Sequence, residues 1–212
     1  MAEEKIIPRP RIQQGNNSSL PWSGQKSAAV LAVDPGNFGG ICAGSSIDDV
    51  RVIPYPRTSL ECRDFCRRLS DYGIELIGCA FYYENRPKTD QIPGGAKRVY
   101  RLGFDDGMWF VISGSFHQKV GLYPASWRRI AYPTIEEKPV GSMEWKKLEF
   151  RYLKFFTGDK LVKEDKFYKS DNSAYGVSAA FSIWLAGAKS EGLIDIEQEI
   201  KIRKEKNKGV MQ

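Results

Sequence analysis

Histidine is almost missing from these 212 residues: His117 is the only one. One histidine cannot supply an imidazole-rich metal site, and no serine or cysteine nucleophile pattern surrounds it. His117 therefore reads as structural or exposed, and a serine or cysteine hydrolase is unsupported. The four cysteines, Cys42, Cys62, Cys66 and Cys79, make no CxxC pair and no Cys/His cluster at zinc-ligand spacing, so reduced thiols are expected. Apolar stretches are strand-sized or interrupted, well short of the ~20 residues that span a bilayer, and the N-terminus has no secretory apolar region. The expectation is an intracellular chain, in cytoplasm, nucleoid, organelle or infected cell according to source, with no membrane partner and no small-molecule cofactor. Internal repeats are also absent.

Apolar residues make up 42% and aromatic residues 12% of the chain, enough to bury one full core. Lysine and arginine number 32 against 26 acids, a net charge of +6 that suits a polyanionic partner without identifying one. Residues 1–26, with Pro8, Pro10, Pro21 and a Gln-Gln-Gly-Asn-Asn-Ser-Ser run, have loop composition and read as a flexible basic arm carrying Arg9, Arg11 and Lys26. A single domain is expected over 27–190, followed by a charged tail over 191–212 that is helical or frayed.

Within the domain, Ala28 to Val33 is a short apolar run stopped by Asp34-Pro35-Gly36, the pattern of a buried strand ending in a turn. Gly39 to Ala43 and Val50 to Ile53 continue it as a meander. Ser59 to Tyr72 has helical spacing, Ile74 to Tyr83 is a strand delivering Glu84 at its end, and Pro87 to Ala96 is a loop. A helix over 100–116, a strand over Val120 to Tyr123, an amphipathic helix from Ser142 to Phe156 and a small-residue helix from Ser173 to Ala188 follow. This order predicts an α/β fold with a central five-stranded mixed sheet, three strands in a meander plus parallel strands, flanked by helices.

Three acids stand at element ends. Asp34 follows the first strand and Glu84 closes the fourth; as sheet neighbours they would share one edge, where two carboxylates repel unless a cation neutralises them. Asp171 stands just before the last helix, either as an N-cap or as a third ligand beside the positive end of the helix. Three carboxylates gathered from remote segments are what a two-metal phosphodiester hydrolase needs, with paired Mg²⁺ ions about 3.5–4 Å apart. Each acid also has a plain explanation: a turn for Asp34, a solvated strand end for Glu84, a cap for Asp171.

The motifs Ala-Val-Asp34-Pro-Gly-Asn-Phe-Gly-Gly, Tyr-Tyr-Glu84-Asn and Ser170-Asp171-Asn-Ser-Ala174-Tyr-Gly resemble, in order and kind, the acidic motifs of RuvC-type Holliday junction resolvases of the ribonuclease H-like superfamily, including chloroplast, poxvirus and phage-type relatives. Gly103-Phe-Asp-Asp-Gly-Met-Trp109 and Val120-Gly-Leu-Tyr-Pro-Ala-Ser-Trp127-Arg128 resemble the family's intervening helix and its strand-Pro-Trp segment. The resemblance, over roughly residues 28 to 188, implies a ribonuclease H-like fold. It also implies Asp34, Glu84 and Asp171 as ligands of two Mg²⁺ ions per site, with Mn²⁺ as a substitute, and a homodimer cutting four-way DNA junctions symmetrically. One position departs from the pattern: where the family carries a fourth acid, this chain has Ala174, and no acid lies between Asp171 and Glu191. An engineered Asp-to-Ala change, the favoured explanation, competes with a natural three-acid site and with a binding protein that has lost catalysis.

Beside Glu84, the segment with Arg86, Lys88, Lys97, Arg98, Tyr100 and Arg101 mixes cations with an aromatic ring, which suits phosphate neutralisation and base stacking. The resemblance makes Tyr100 a candidate wedge at a branch point. Arg128 and Lys169 complete the expected nucleic-acid contacts, while the run Lys146, Lys147, Lys154, Lys160, Lys163 and Lys166 is partly helix surface. An actin-like ATPase would need a second phosphate turn and a longer chain. A hybrid nuclease, a packaging nuclease and an inert DNA-binding protein on the same fold all stay open.

Overall fold

The computed structural model describes residues 28–35, 39–55, 60, 64, 79–84, 118–135, 139–158 and 171–209. The arm over 1–26 and the loop over 87–96 lie outside the described residues, as do the helices expected over 59–72 and 100–116 apart from Leu60 and Asp64, which are helical.

Five strands form one sheet: β1 (Ala29–Asp34), β2 (Gly40–Gly44), β3 (Arg51–Pro54), β4 (Cys79–Glu84) and β5 (Gln118–Leu122). Their order is β3-β2-β1-β4-β5, with β1 antiparallel to β2, β2 antiparallel to β3, and β4 parallel to both β1 and β5. The turn between β2 and β3 is short and locally satisfied. There, burial acts to raise the pKa of Asp49, but the carboxylate accepts from the Ser45 hydroxyl and from the backbone N–H groups of Ser45 and Ser46, and these bonds hold its pKa below the usual carboxylate range. The sheet matches the expected mixed architecture; most described boundaries shift by one or two residues, while the fourth strand, expected from Ile74, is described from Cys79.

Burial explains the apolar run in β1. Val30 and Ala32 belong to the core on one face, and the alternate residues Leu31 and Val33 on the other face are equally buried. A strand covered on both faces has no polar side to show, hence its continuous hydrophobicity. Cys42 is buried in this layer as a free thiol, its acidity suppressed by loss of solvent, in keeping with the expected reduced state.

Among the described residues four helices follow: α1 (Pro124–Ala131), α2 (Ser142–Thr157), α3 (Asp171–Ser190) and α4 (Ile196–Gly209). α1 has no counterpart among the helices expected from the sequence; its start is a proline at the first helical position, where a missing N–H costs nothing, and Trp127 and Ala131, four apart, are buried. α3 packs across β1 and β2 while α1 and α2 pack on α3. Trp184, Phe181, Ile183 and Leu185 of α3 are fully buried, so this helix is apolar nearly all round, a core element in place of a surface one. The segment read as a charged tail begins inside the same core, through Ile196 and Ile200 on the first turns of α4. No helix among the described residues is long and apolar enough to cross a membrane.

Candidate active site

Register fixes the first two acids. In the parallel pair β1–β4, Val33 is opposite Tyr83, so Asp34 and Glu84 occupy the next step of adjacent strands and end at the same edge of the sheet. Neighbouring strands lie roughly 5 Å apart, close enough for the two carboxyl groups to meet one cation. Both side chains are partly exposed, Asp34 at the last position of its strand and Glu84 at the last of its own. The expectation that they share an edge is met by the backbone alone.

α3 brings the third motif to that edge. Asp34 pairs with Gly40, and a Cβ on Gly40 would lie 2.8 Å from the Cα of Val177 and 3.0 Å from the carbonyl oxygen of Gly176. The helix backbone therefore rests on the residue beside Asp34, an approach only glycine permits. At the other end, a Cβ on Gly187 would meet Tyr82 and Val30, and the Trp184 indole Nε1 donates to the Gly44 carbonyl at 3.1 Å. Gly44 and Val30 are partners at the start of β1. Two contacts, one at each end, thus run α3 antiparallel to β1, with its N-terminus at the carboxylate edge.

Asp171 is the first residue of that helix, not the residue before it. Gly176 is five positions further on, a rise of roughly 7–8 Å, so the backbone of Asp171 lies just beyond the contact with Gly40. An acid in a first helical turn is stabilised by the exposed N–H groups there, which accounts for a helix that starts earlier than the sequence suggested. Ala174 is three residues on from Asp171, about one helical turn along the chain, and half-buried. Among the described residues no group of three His, Cys, Asp or Glu side chains is placed to hold a metal ion; the described pair is Asp34 and Glu84. A shallow cleft of about 330 Å³ opens between α2 and α3, lined by Glu144, Lys147, Phe150, Arg151 and Tyr175, with the Phe150 and Tyr175 rings edge to face at 6.1 Å.

One acid escaped the sequence reading. Glu149 on α2 is 1% exposed and takes Arg128 of α1 as its ion-pair partner at 3.0 Å. Burial pushes its carboxyl up to about 7; Arg128 opposes that shift and the charge of Glu84 adds to it. The signal was present in the sequence, because Glu149 interrupts the apolar series Trp145, Leu148, Tyr152 and Phe155 on one helix. Arg128, expected at a DNA phosphate, is thus engaged within the protein. Beside it, Tyr132 is buried and its hydroxyl is hydrogen-bonded to Ser182, burial holding the pKa of the phenol well above its ordinary value. Arg86, Lys88, Lys97, Arg98, Tyr100, Arg101, His117 and Lys169 lie outside the described residues.

No family model matches the sequence, and no curated protein matches it. Two solved structures of RuvC from Thermus thermophilus are similar in fold. One, in complex with Holliday junction substrate, is 13% identical over 76% of this chain and 92% of that one, with a TM-score of 0.45. The other is 16% identical over 76% of this chain and 93% of that one, with a TM-score of 0.43.

Proposed function

We propose that this chain is a metal-dependent endonuclease of the ribonuclease H-like kind that acts on branched DNA, four-way junctions above all, as a homodimer. The observation that supports it is the convergence of Asp34 and Glu84, from adjacent parallel strands, with the first turn of α3 at one sheet edge. Carboxylate oxygens are hard donors that suit Mg²⁺ and accept Mn²⁺. Asp34, Glu84 and Asp171 are the residues to hold such ions, and position 174 joins them only when acidic. Bound there, the ions supply charge neutralisation at the scissile phosphodiester and activation of water.

The protein's own contribution is placement. Hydrogen-bonded strands fix the spacing of Asp34 and Glu84 before substrate arrives, so little ordering is left for the reaction step. Gly40 lets α3 descend to that edge, and the helix N-terminus, with its unpaired amides, favours a phosphate anion. The basic segment from Arg86 to Arg101 then serves to neutralise backbone phosphates.

With Ala at 174, the chain is expected to bind junctions and cleave them poorly, since phosphate contacts do not depend on that carboxyl. The test is Ala174→Asp, assayed with Mg²⁺ on a synthetic four-way junction. Paired symmetric nicks that vanish with a chelator support the proposal. Tight junction binding without cleavage by either chain favours a binding protein on the same fold, and equal affinity for junction, duplex and RNA:DNA hybrid at one fixed salt concentration overturns the substrate assignment.

A further inference from the structure

Glu149 is a buried acid that the metal set leaves unused. Its one described ion-pair partner, Arg128, donates from Nε to Oε1 at 3.0 Å, and Nη2 lies 3.0 Å from the same oxygen. The guanidinium carbon also lies 4.7 Å from the ring centre of Trp127 and 4.8 Å from that of Trp145. Trp127 comes from α1, and Trp145 and Glu149 from α2 one turn apart, so two helices grip a single side chain. Trp127 is fully buried, yet its indole N–H has no hydrogen-bond partner among the described residues. The fold keeps that ring for its faces, one of which meets Arg128.

A long cation held from three sides has given up its rotamer freedom before meeting any ligand. It has not used up its donors, because a guanidinium carries five N–H groups and Glu149 engages two of its nitrogens. The Arg128 side chain remains 23% exposed. It also lies at the right edge of the sheet: Leu122, the partner of Glu84, precedes α1 by one residue, Tyr123, and the charge of Glu84 reaches the Glu149 carboxyl.

We infer that Glu149 is a positioning residue which, with Trp127 and Trp145, presents the remaining N–H groups of Arg128 as a preformed clamp for a phosphate of the DNA strand lying beside Glu84. The inference takes its ligand from the nuclease reading above. It runs against simple charge counting, in which an acid paired to an arginine only weakens attraction for DNA and its removal strengthens binding.

The experiment titrates a labelled four-way junction with the full chain, in EDTA and at one salt concentration, for the parent, Glu149→Gln, Glu149→Met and Arg128→Lys, with a thermal melt of each. Glutamine keeps the accepting oxygen and is expected to bind within about threefold of the parent, whereas methionine removes it and is expected to bind about tenfold more weakly. Arg128→Lys keeps the charge, loses the fork and the stacking, and is expected to lose about tenfold with a melting temperature close to the parent's. Should Glu149→Met fail to fold, Arg128→Lys carries the test. Binding by Glu149→Met as tight as by Glu149→Gln, or Arg128→Lys equal to the parent, overturns the clamp. A parent that binds no junction overturns the nuclease reading and the clamp with it.

Discussion

The two ends of α3 carry out opposite tasks with the same backbone. Toward its C-terminus, Trp184, Leu185, Ala186 and Ala188 are fully buried, Gly187 sits against Tyr82 and Val30, and just past the helix Glu191 accepts a hydrogen bond from the Tyr82 hydroxyl at 2.7 Å. Toward its N-terminus, Ala174 and Tyr175 are only half-buried, and Tyr175 borders an open cleft. The closed end sets where the open end lies: a rigid rod pinned at the start of β1 must deliver its first turn to the end of β1. Rigidity at a distance from the chemistry is therefore what gives the chemistry its geometry.

If that division holds, the largest effect belongs to the open end and should leave the fold intact. In the Ala174→Asp chain, Asp34→Asn is expected to cut junction cleavage by about a hundredfold to a thousandfold, the equivalent of several kcal/mol of lost charge stabilisation, with an unchanged melting temperature. Cleavage rate and melting curve, measured on one preparation, check both halves. Next, Trp184→Ala at the closed end removes a buried indole and its bond to Gly44, at a cost of about 3–5 kcal/mol in urea unfolding. A smaller loss, below about 1 kcal/mol, would mean that α3 is not the pin described here.

Intermediate in size is the pH dependence set by Glu149. Its carboxyl is raised to about 7 in the fold, with Arg128 and Lys146 opposing the shift and Glu84 adding to it, and with the buried Tyr132 alongside. The folded chain thus keeps a proton that the unfolded chain releases in the ordinary glutamate range. Stability contributed by this group is full below that range, falls as pH rises toward 7, and levels off above it, a loss of roughly 3 kcal/mol. Urea midpoints across pH 5 to 8 should show that slope in the parent and lose it in Glu149→Gln. Smallest is Gly40→Ala, whose added methyl meets the backbone of α3 beside Asp34 and is expected to cost about 1–3 kcal/mol. Because it presses on the open end, cleavage by its Ala174→Asp form should fall further than its stability does.

Much of the fold was legible in local patterns. The continuous apolar run of β1, the stop at Asp34-Pro35-Gly36 and the strand ending at Glu84 were visible because burial on both faces and a turn each leave a compositional mark. The helix Pro124–Ala131 was missed: eight residues carry too few turns for a period to stand out, and its signal was a proline that also reads as a break. Ile196 and Ile200 were hidden in a charged segment for a related reason, since two apolar residues four apart can anchor a helix that is otherwise solvated. Glu149 lay in full view on an apolar stripe. What makes it matter is Arg128 on another helix, and no spacing within one helix announces a partner in the next.

By itself the sequence determined the kinds of residue and their order: three acids at element ends, an alanine at 174, glycines at 40 and 187, and a basic excess. These follow from short-range physics, from how turns, strand burial and helix starts constrain residue type. Only the tertiary structure decided that Asp34 and Glu84 leave neighbouring parallel strands at one edge, that α3 runs back to meet them, and that Arg128 is gripped by Glu149 and two indoles. Those are relations between segments remote in the chain, fixed by packing and strand pairing across the whole core, and a local pattern has no means of encoding the distance between two ends that it does not itself connect.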